Sequence, residues 1–565
     1  MDENKLTTTP FKTSTYILVF AAIILGEVLI IPDNGGVGLN ISNNAISWIP
    51  FSILAFIGIW YSVKKNLFFY NFSNIYGALL LLWLFILVGF SEFKQSGFIL
   101  ISGVTYGLFF LISLQQLNLN RFILIYPIII LATLNCIYGL LQYYYPLDFD
   151  WFFTSNNNRP IGFFRQPNIL ASFAMIGISL SLYFYKNSTS KLINFPLFLI
   201  TLIGPSTILL TFSRLGLISF IISSLLIIIY LGLTKRLKGI ITLSFFTGII
   251  LGLAQLFITI ENQTIPRSIE TLQSFGMREL DWTHALNMFI EKPFFGWGIG
   301  GFEGSFASSF VQNSLNSGYI SHISPHLTHP HNELLFWLVQ GGLFATLPIV
   351  AFFSWIIYKN FTFNKIESIG RLAIITPIGI HSMLELPMYT STAYFITFII
   401  ILFLFCEPLR VYTYKNNSIK HLNLPTFTII LISFLYFSSA LHSFFIYKEM
   451  YKYGGDDLSY SSKVINPFSH DDEITLLHIS SNLHYANRMQ STEQKLRAIE
   501  DALEFCKRKP HPKIYLQIIQ TLHNLEDFKS AEEIFNYAKT LYTHNPFFKD
   551  RSNYEELIPN YNLIE

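Results

Sequence analysis

The sequence predicts an all-α fold: a polytopic transmembrane helical bundle of about 13 helices with a small C-terminal helical, tetratricopeptide-like domain. Three observations carry this prediction. Hydrophobic residues make up 52% of the chain and charged residues only 13%, too few charges to clothe a soluble protein of 565 residues. Apolar runs of about 17–25 residues recur along the chain, the helical length that crosses roughly 30 Å of hydrocarbon. After Tyr447 the composition turns charged and helix-periodic, with no further run of that kind.

The predicted spans are Ser14–Ile31, Ala45–Val63, Ile75–Gly89, Gly97–Leu114, Phe122–Tyr144, Ile169–Tyr185, Leu192–Phe212, Leu215–Leu233, Gly239–Ile260, Glu333–Tyr358, Leu372–Leu386, Thr392–Phe405 and Thr426–Tyr447. The first follows Lys5 and Lys12 as a signal peptide would. It runs into Ile31-Pro-Asp-Asn-Gly-Gly without a small-x-small cleavage site, so an uncleaved first span is expected. With the N-terminus inside, the inner connections collect Lys64, Lys65, Arg121, Lys186, Lys191, Lys235, Arg236, Lys238, Lys359, Lys365, Arg371, Arg410, Lys415 and Lys420. The outer connections are poorer in cations, with Lys94, Arg159, Arg165, Arg214, Arg267, Arg278 and Lys292, the asymmetry of the positive-inside rule.

Two large regions then face outside: a loop over 261–332, rich in Gly, Ser, His and aromatics, and a soluble helical domain over 448–565. In the latter, Tyr515, Phe528, Ala531, Phe535 and Ala538 have the small-and-aromatic spacing of a tetratricopeptide unit, and 474–507 reads as a weaker helical pair before it. One or two such units build no long solenoid, so this domain is expected to dock on the membrane domain or on a partner. A net charge of +2 without a basic block excludes a nucleic-acid partner. Cys136, Cys406 and Cys506 are too far apart for a disulfide framework or a zinc knuckle.

The few outer cations are clustered in sequence. Arg159 and Arg165 lie in Arg159-Pro-Ile-Gly-Phe-Phe-Arg165-Gln-Pro-Asn168, and Arg214 lies in Thr211-Phe-Ser-Arg214-Leu-Gly, almost without a loop between two spans. Charges at a membrane edge are costly unless paired, hydrated or functional. Each arginine alone reads equally as a snorkelling anchor. Together they suit a pyrophosphate, because guanidinium forks pair with phosphate oxygens two at a time. Pro167-Asn168 opens a helix whose free N–H groups add to such an anion site.

The densest polar cluster is His322-Ile-Ser-Pro-His326-Leu-Thr-His329-Pro-His331-Asn332-Glu. Three readings stand side by side: a hydrated loop, a metal site, and a general base with a pKa near working pH. The metal reading lacks a further ligand and an ordered outer shell in the sequence. Among the histidines His331 is the candidate base, because it stands at the membrane edge where the tenth span begins, with His329 next. Gly296-Trp-Gly-Ile-Gly-Gly follows no strand of a βαβ unit and is read as close backbone packing, not as a nucleotide loop.

These segments resemble the O-antigen ligase/polymerase superfamily. The resemblance is carried by Arg165-Gln-Pro-Asn-Ile-Leu-Ala, Ser213-Arg-Leu-Gly, Arg278-x3-Trp282 leading into Pro293-Phe-Phe-Gly-Trp-Gly-Ile-Gly-Gly-Phe302, and His329-Pro-His-Asn-Glu-Leu-Leu-Phe-Trp-Leu-Val-Gln-Gly-Gly342. Within that superfamily, His381-Ser-Met-Leu-Glu-Leu-Pro-Met-Tyr389 and the C-terminal extension are most similar to the PglL-type protein O-oligosaccharyltransferases. Gln340 stands where the family often has Glu, so any carboxylate role moves to Glu333 or Glu385 or was never essential.

The resemblance implies a metal-independent, cofactor-free glycosyltransferase of the bacterial inner membrane with its active face in the periplasm. Its donor would be an oligosaccharide on undecaprenyl pyrophosphate, and its acceptor a Ser or Thr hydroxyl of a periplasmic or pilin-like protein. His331 would be the base, and Arg159, Arg165, Arg214 and Arg278 the pyrophosphate ligands. His329, Asn332, Asn168 and Glu385 would support them. In-line attack would invert the anomeric carbon. The alternatives are a ligase or polymerase with a lipid A-core or glycan acceptor, and a transporter of lipid-linked oligosaccharide. A transporter would place its polar residues near the midplane, commonly within repeat symmetry, and neither is visible.

Overall fold

A computed structural model describes residues 10–29, 31, 38–117, 119–145, 159–185, 191–261, 277–317, 327–405, 410–413, 420–452, 461–543 and 545–549. The protein is an all-α polytopic membrane protein. Every predicted span is helical over most of its described residues. Nine helices among the described residues are long and apolar enough to cross a membrane: Ser42–Lys65, Phe72–Gly89, Lys94–Leu117, Arg121–Tyr144, Pro167–Phe184, Arg214–Leu233, Ile240–Glu261, Glu333–Thr362 and Asn423–Met450.

The other four runs differ in ways their sequences explain. Asn194–Leu210 and Thr392–Phe405 are apolar but shorter. Lys365–Ser382 carries Lys365, Glu367 and Arg371 in its first two turns and ends before the Leu384-Glu385-Leu386-Pro387 stretch. The first run is helical over Pro10–Phe20, opens into a π turn at Ala21–Leu25, and closes with Gly26–Val28.

The chain forms two compact units. The first comprises Met1–Trp83, Ser102–Ser274 and Pro348–Leu441, and the second Leu84–Ile101, Phe275–Leu347 and His442–Glu565.

At the centre of the first unit lies Pro167–Phe184, a helix without a charged residue and buried over most of its length. It packs on Arg121–Tyr144, Lys191–Leu210, Arg214–Leu233 and Lys365–Ser382. Small residues set the spacing, as is usual where lipid gives helices no hydrophobic drive to associate. A Cβ on Gly216 would stand 2.5 Å from the Ala171 methyl carbon, so only glycine lets the Arg214 helix approach the Pro167 helix this closely. Two four-residue strands depart from the all-helical expectation: Leu67–Tyr70 pairs antiparallel with Arg410–Thr413, Leu67 opposite Thr413. Gln116 braces the first strand, accepting from the Phe69 N–H (2.8 Å) and donating to its carbonyl (2.7 Å).

In the second unit, the stretch expected as a loop holds two helices, Met277–Glu291 and Phe302–Ser317. Between them the glycine-rich turn packs backbone to backbone against a break in the Glu333–Phe363 helix. Gly342 has φ 58° and ψ −158° there, which only glycine adopts readily. Trp297 and Gly298 donate to the Val339 and Gln340 carbonyls (2.8 and 2.9 Å), while Leu343 and Phe344 donate to those of Pro293 and Phe294 (2.8 and 3.1 Å).

The C-terminal part of this unit folds as the helices Asp471–Arg488, Thr492–Arg508, Pro512–His523 and Phe528–Leu541, each packing on the next or next but one. Ala531, Phe535 and Ala538 are buried, whereas Phe528 is 59% exposed at its helix start. Phe302–Ser317 packs on two of these helices, and Gly304 meets the Lys507 carbonyl so closely that a side chain there would collide with backbone.

Candidate active site

The predicted site residues fall in both units: Arg159, Arg165, Asn168, Arg214 and Glu385 in the first, Arg278, His329, His331 and Asn332 in the second.

In the first unit the segment 159–166 is fastened from below by the Arg121–Tyr144 helix. Gln142 Oε1 accepts from the N–H groups of Ile161 (3.1 Å) and Gly162 (2.9 Å), and Asn135 Oδ1 accepts from that of Phe163 (2.9 Å). This turn delivers Arg165 with φ 55°, a left-handed backbone that costs a non-glycine residue about 1 kcal/mol or more. Phe212, two residues before Arg214, has φ 48°. Arg159 Nε donates to the Thr211 carbonyl at 2.7 Å, tying the first arginine to the segment that carries the third.

Ser213 caps the Arg214 helix by accepting from the Gly216 N–H (2.9 Å) and donates its own hydroxyl proton to Asn168 Oδ1 (2.7 Å). Asn168 Nδ2 donates to Glu385 Oε1 at 2.7 Å, and Gln166 Nε2 to Glu385 Oε2 at 2.5 Å. His381 lies 3.4 Å from the same carboxylate through Nε2, with Nδ1 2.7 Å from the Ser172 hydroxyl. Tyr394 donates to that hydroxyl at 3.3 Å. The segments that carry Arg159, Arg165 and Arg214, each half-buried, are therefore joined through one partly buried hydrogen-bonded chain. Pro167 begins its helix as expected, and the Asn168 side chain is committed to Ser213 and Glu385.

In the second unit, Trp282 Nε1 donates to the Pro330 carbonyl at 2.7 Å and pins the His329-Pro330-His331 turn to the Met277–Glu291 helix. Arg278 lies one helical turn before Trp282, on the same helix face. His331 has φ 52°, and its N–H donates to His329 Nδ1 at 3.1 Å, which assigns the proton of neutral His329 to Nε2. The two imidazoles stand 4.6 Å apart.

Asn332 caps the Glu333 helix, its side chain accepting from the Leu335 N–H (2.9 Å), so it fixes where His331 stands. Gln340 is buried. Its Oε1 accepts from the Gly300 N–H at 2.7 Å, while its Nε2 has no partner among the described residues. Glu333 holds Trp337 Nε1 at 2.9 Å. A cleft of about 610 Å³ in this unit, lined by Trp297, Ser305, Cys506 and Tyr537 among others, contains none of the predicted site residues.

Among the described residues no group of three or more His, Cys, Asp or Glu could hold a metal ion. His322 and His326, part of the metal reading, lie outside the described residues. Sequence reasoning gave no role to Gln166, His381, Ser213 or Glu27. The signal for Ser213 was its place as a capping residue before a helix, and for Glu27 a lone carboxylate in an apolar run.

Residues 197–350 match the family described as O-antigen ligase, and residues 371–554 the family described as virulence factor membrane-bound polymerase, C-terminal. No curated protein matches the chain. The two matches support the O-antigen ligase/polymerase superfamily.

Proposed function

We propose, from this superfamily relationship, that the protein transfers a glycan en bloc from undecaprenyl pyrophosphate to a Ser or Thr hydroxyl of a periplasmic or pilin-like protein, on the outer face of the bacterial inner membrane. The two family matches support a glycan-transferring membrane enzyme in general terms. The observation that carries the chemistry is the Asn168–Ser213 hydrogen bond, which ties the Arg165 and Arg214 segments together in one unit.

Two problems must be solved in such a transfer. The acceptor hydroxyl is a weak nucleophile and must lose a proton as its oxygen bonds to the anomeric carbon. Neutral His331 takes that proton, a contribution of about 10²–10⁴-fold for a positioned base. The bond from the anomeric carbon to the pyrophosphate oxygen breaks, and its electron pair leaves with the lipid pyrophosphate. Arg159, Arg165, Arg214 and Arg278 counter that charge, so the leaving group needs no acid to protonate it. Backside attack inverts the anomeric centre. This differs from the carboxylate pair that glycosidases need for a poor leaving group. Glu385 acts through Gln166 and Asn168, and Asn332 through the helix it caps.

The polymerase description matched by 371–554 favours a second reading, with the same chemistry delivered to a lipid A-core or a growing glycan. One experiment separates them: mass spectrometry of secreted and membrane-tethered proteins from cells with the chain, without it, and with His331→Ala. The proposal expects glycosylated Ser or Thr only with the unaltered chain. Unmodified proteins beside a lost lipid- or polymer-linked glycan favour the second reading. Normal glycosylation by a folded His331→Ala protein removes His331 as the base and turns attention to His329.

A further inference from the structure

Two pairs of polar residues face each other where the Pro167–Phe184 helix packs on Lys365–Ser382. Asn168 and Ser172 stand one turn apart on the first helix, and His381 and Glu385 one turn apart at the end of the second. Leu384 and Glu385 donate their N–H groups to the His381 carbonyl (3.0 and 2.8 Å), and Pro387 lacks the N–H to continue the turn. The result is a ladder of two rungs: Asn168 Nδ2 meets Glu385 Oε1 at 2.7 Å, and the Ser172 hydroxyl meets His381 Nδ1 at 2.7 Å. His381 Nε2 joins the rungs, 3.4 Å from Glu385 Oε2. All these residues belong to the first unit.

The proton positions follow from what each group can give. Glu385 accepts at both oxygens, from Gln166 (2.5 Å) and from Asn168, and so faces His381 as a carboxylate. A carboxylate only accepts, which puts a proton on His381 Nε2. Nδ1 of the neutral ring then accepts from Ser172, whose hydroxyl is closer to it than to the Ile169 carbonyl (3.1 Å) and itself accepts from Tyr394 (3.3 Å). The donors of Tyr394, Ser172 and His381 thus run in one direction and end on the carboxylate, and aligned bonds strengthen one another. The last bond is long, and the carboxylate charge carries it. His381 is 0% exposed with both ring nitrogens engaged, so it is placed to orient a neighbour and not to meet an acceptor hydroxyl.

We propose that His381 is a positioning residue for the arginine segments. Its Nε2–H holds Glu385 in the rotamer that offers one oxygen to Gln166 and the other to Asn168. Through Ser213, the helix start beside Arg165 stays joined to the one at Arg214. The proposal rests on the pyrophosphate reading of these arginines. Segments already set lose less freedom on binding, so His381 acts on affinity for the phosphate end of the lipid.

The test is binding of undecaprenyl pyrophosphate to the full-length protein in lipid nanodiscs, with undecaprenol, which lacks the phosphates, as the control ligand. Two variants remove the ring and differ in where an amide remains: a glutamine amide reaches the place of Nε2, an asparagine amide that of Nδ1. His381→Asn is expected to raise the dissociation constant for undecaprenyl pyrophosphate about 10-fold, the equivalent of 1.4 kcal/mol, with undecaprenol binding unchanged. His381→Gln is expected to recover most of that loss. Adding His381→Asn to Glu385→Gln is expected to cost far less than His381→Asn alone. Equal losses in the Gln and Asn variants would show that the ring serves packing, and full additivity with Glu385→Gln that it does not act through that carboxylate. Either result overturns the proposal, as does an equal loss of undecaprenol binding. If His381→Asn does not fold, Ser172→Ala, which takes away the partner of Nδ1, is expected to give a smaller rise, and wild-type affinity there overturns the proposal too. Weakened Arg165→Gln beside wild-type affinity in His381→Asn overturns the role of His381 alone. Wild-type affinity in Arg165→Gln overturns the pyrophosphate reading and the role of His381 with it.

Discussion

Both ends of the Asn168 amide are committed, the oxygen to the Ser213 hydroxyl and the nitrogen to Glu385. The residue is thus the hinge between the helix start beside Arg165 and the helix start at Arg214. Asn168→Ala strips Glu385 of a donor and leaves the Ser213 hydroxyl without its acceptor, a loss of about 1–3 kcal/mol for unsatisfied buried groups. Ser213→Ala removes the same bond and the helix cap, about 1 kcal/mol. Because the two share one hydrogen bond, the double variant is expected to lose less than the sum of the singles in thermal unfolding, and glycan transfer is expected to fall in all three. Strict additivity would show that Asn168 and Ser213 act separately. At this scale the sequence is legible where a residue is out of character: Arg159, Arg165 and Arg214 stand out as charges at a membrane edge. Ser213 and Gln166 do not, because a neutral polar residue just before a helix is ordinary until its partner is known. Glu27 is out of character in its run, yet what it faces depends on a π turn that leaves no periodic signature.

The helix Phe302–Ser317 shows why elements outside the membrane were harder to read. A run of some 20 apolar residues has no alternative to helix in a bilayer, so all thirteen runs emerge as helices. Met277–Glu291 and Phe302–Ser317 sit among Gly, Ser and His, and the strand Leu67–Tyr70 is only four residues long, so neither pattern stands above loop. Phe302–Ser317 also brings a titratable group into its contact with the C-terminal helices. Burial pushes the Glu303 carboxyl up to about 7 from an ordinary 4.5. Lys509 pulls it down, Asp472 and Glu473 push it further up, and Arg508 pulls it down again. Folded protein therefore holds this proton until the pH nears 7, whereas unfolded chain releases it near 4.5. Stability from Glu303 is present in acid and is lost as pH rises through that window. Glu303→Gln is expected to be more stable than the unaltered protein at about pH 8, with the difference closing by about pH 5, in thermal unfolding of the detergent-solubilised protein. A Glu303→Gln protein less stable at the higher pH would show that the carboxylate is a favourable partner of Lys509 instead.

For the molecule as a whole, the number of crossings decides whether the proposed site can exist. The Thr392–Phe405 helix has 14 residues, which spans about 21 Å and falls short of a hydrocarbon layer of roughly 30 Å. If that helix alone failed to cross, the C-terminal helices would lie on the inner side. The contacts of the second unit bear on this parity. Gln95 Nε2 donates to Asp471 Oδ2 at 2.8 Å, and Arg508 Nη1 to the Ser96 hydroxyl at 3.4 Å, so the turn after the Phe72–Gly89 helix and the C-terminal helices share one side of the membrane. Ten apolar runs separate that turn from the C-terminal helices, an even number, as a shared side requires when all ten cross. Bilayer thinning or flanking side chains accommodate a short span at a cost of fractions of a kcal/mol per Å. The expected outcome is that, in a cysteine-free background, Lys94→Cys and Glu500→Cys react with a membrane-impermeant maleimide added to spheroplasts. Lys238→Cys, exposed among the inner cations, is expected to react only after the membrane is opened. Labelling of Lys94→Cys without Glu500→Cys would place the C-terminal helices inside and contradict the contacts between them and the 94–96 turn. Labelling of Lys238→Cys alone would invert the molecule and put His331 and the arginines on the side where no periplasmic acceptor can reach them.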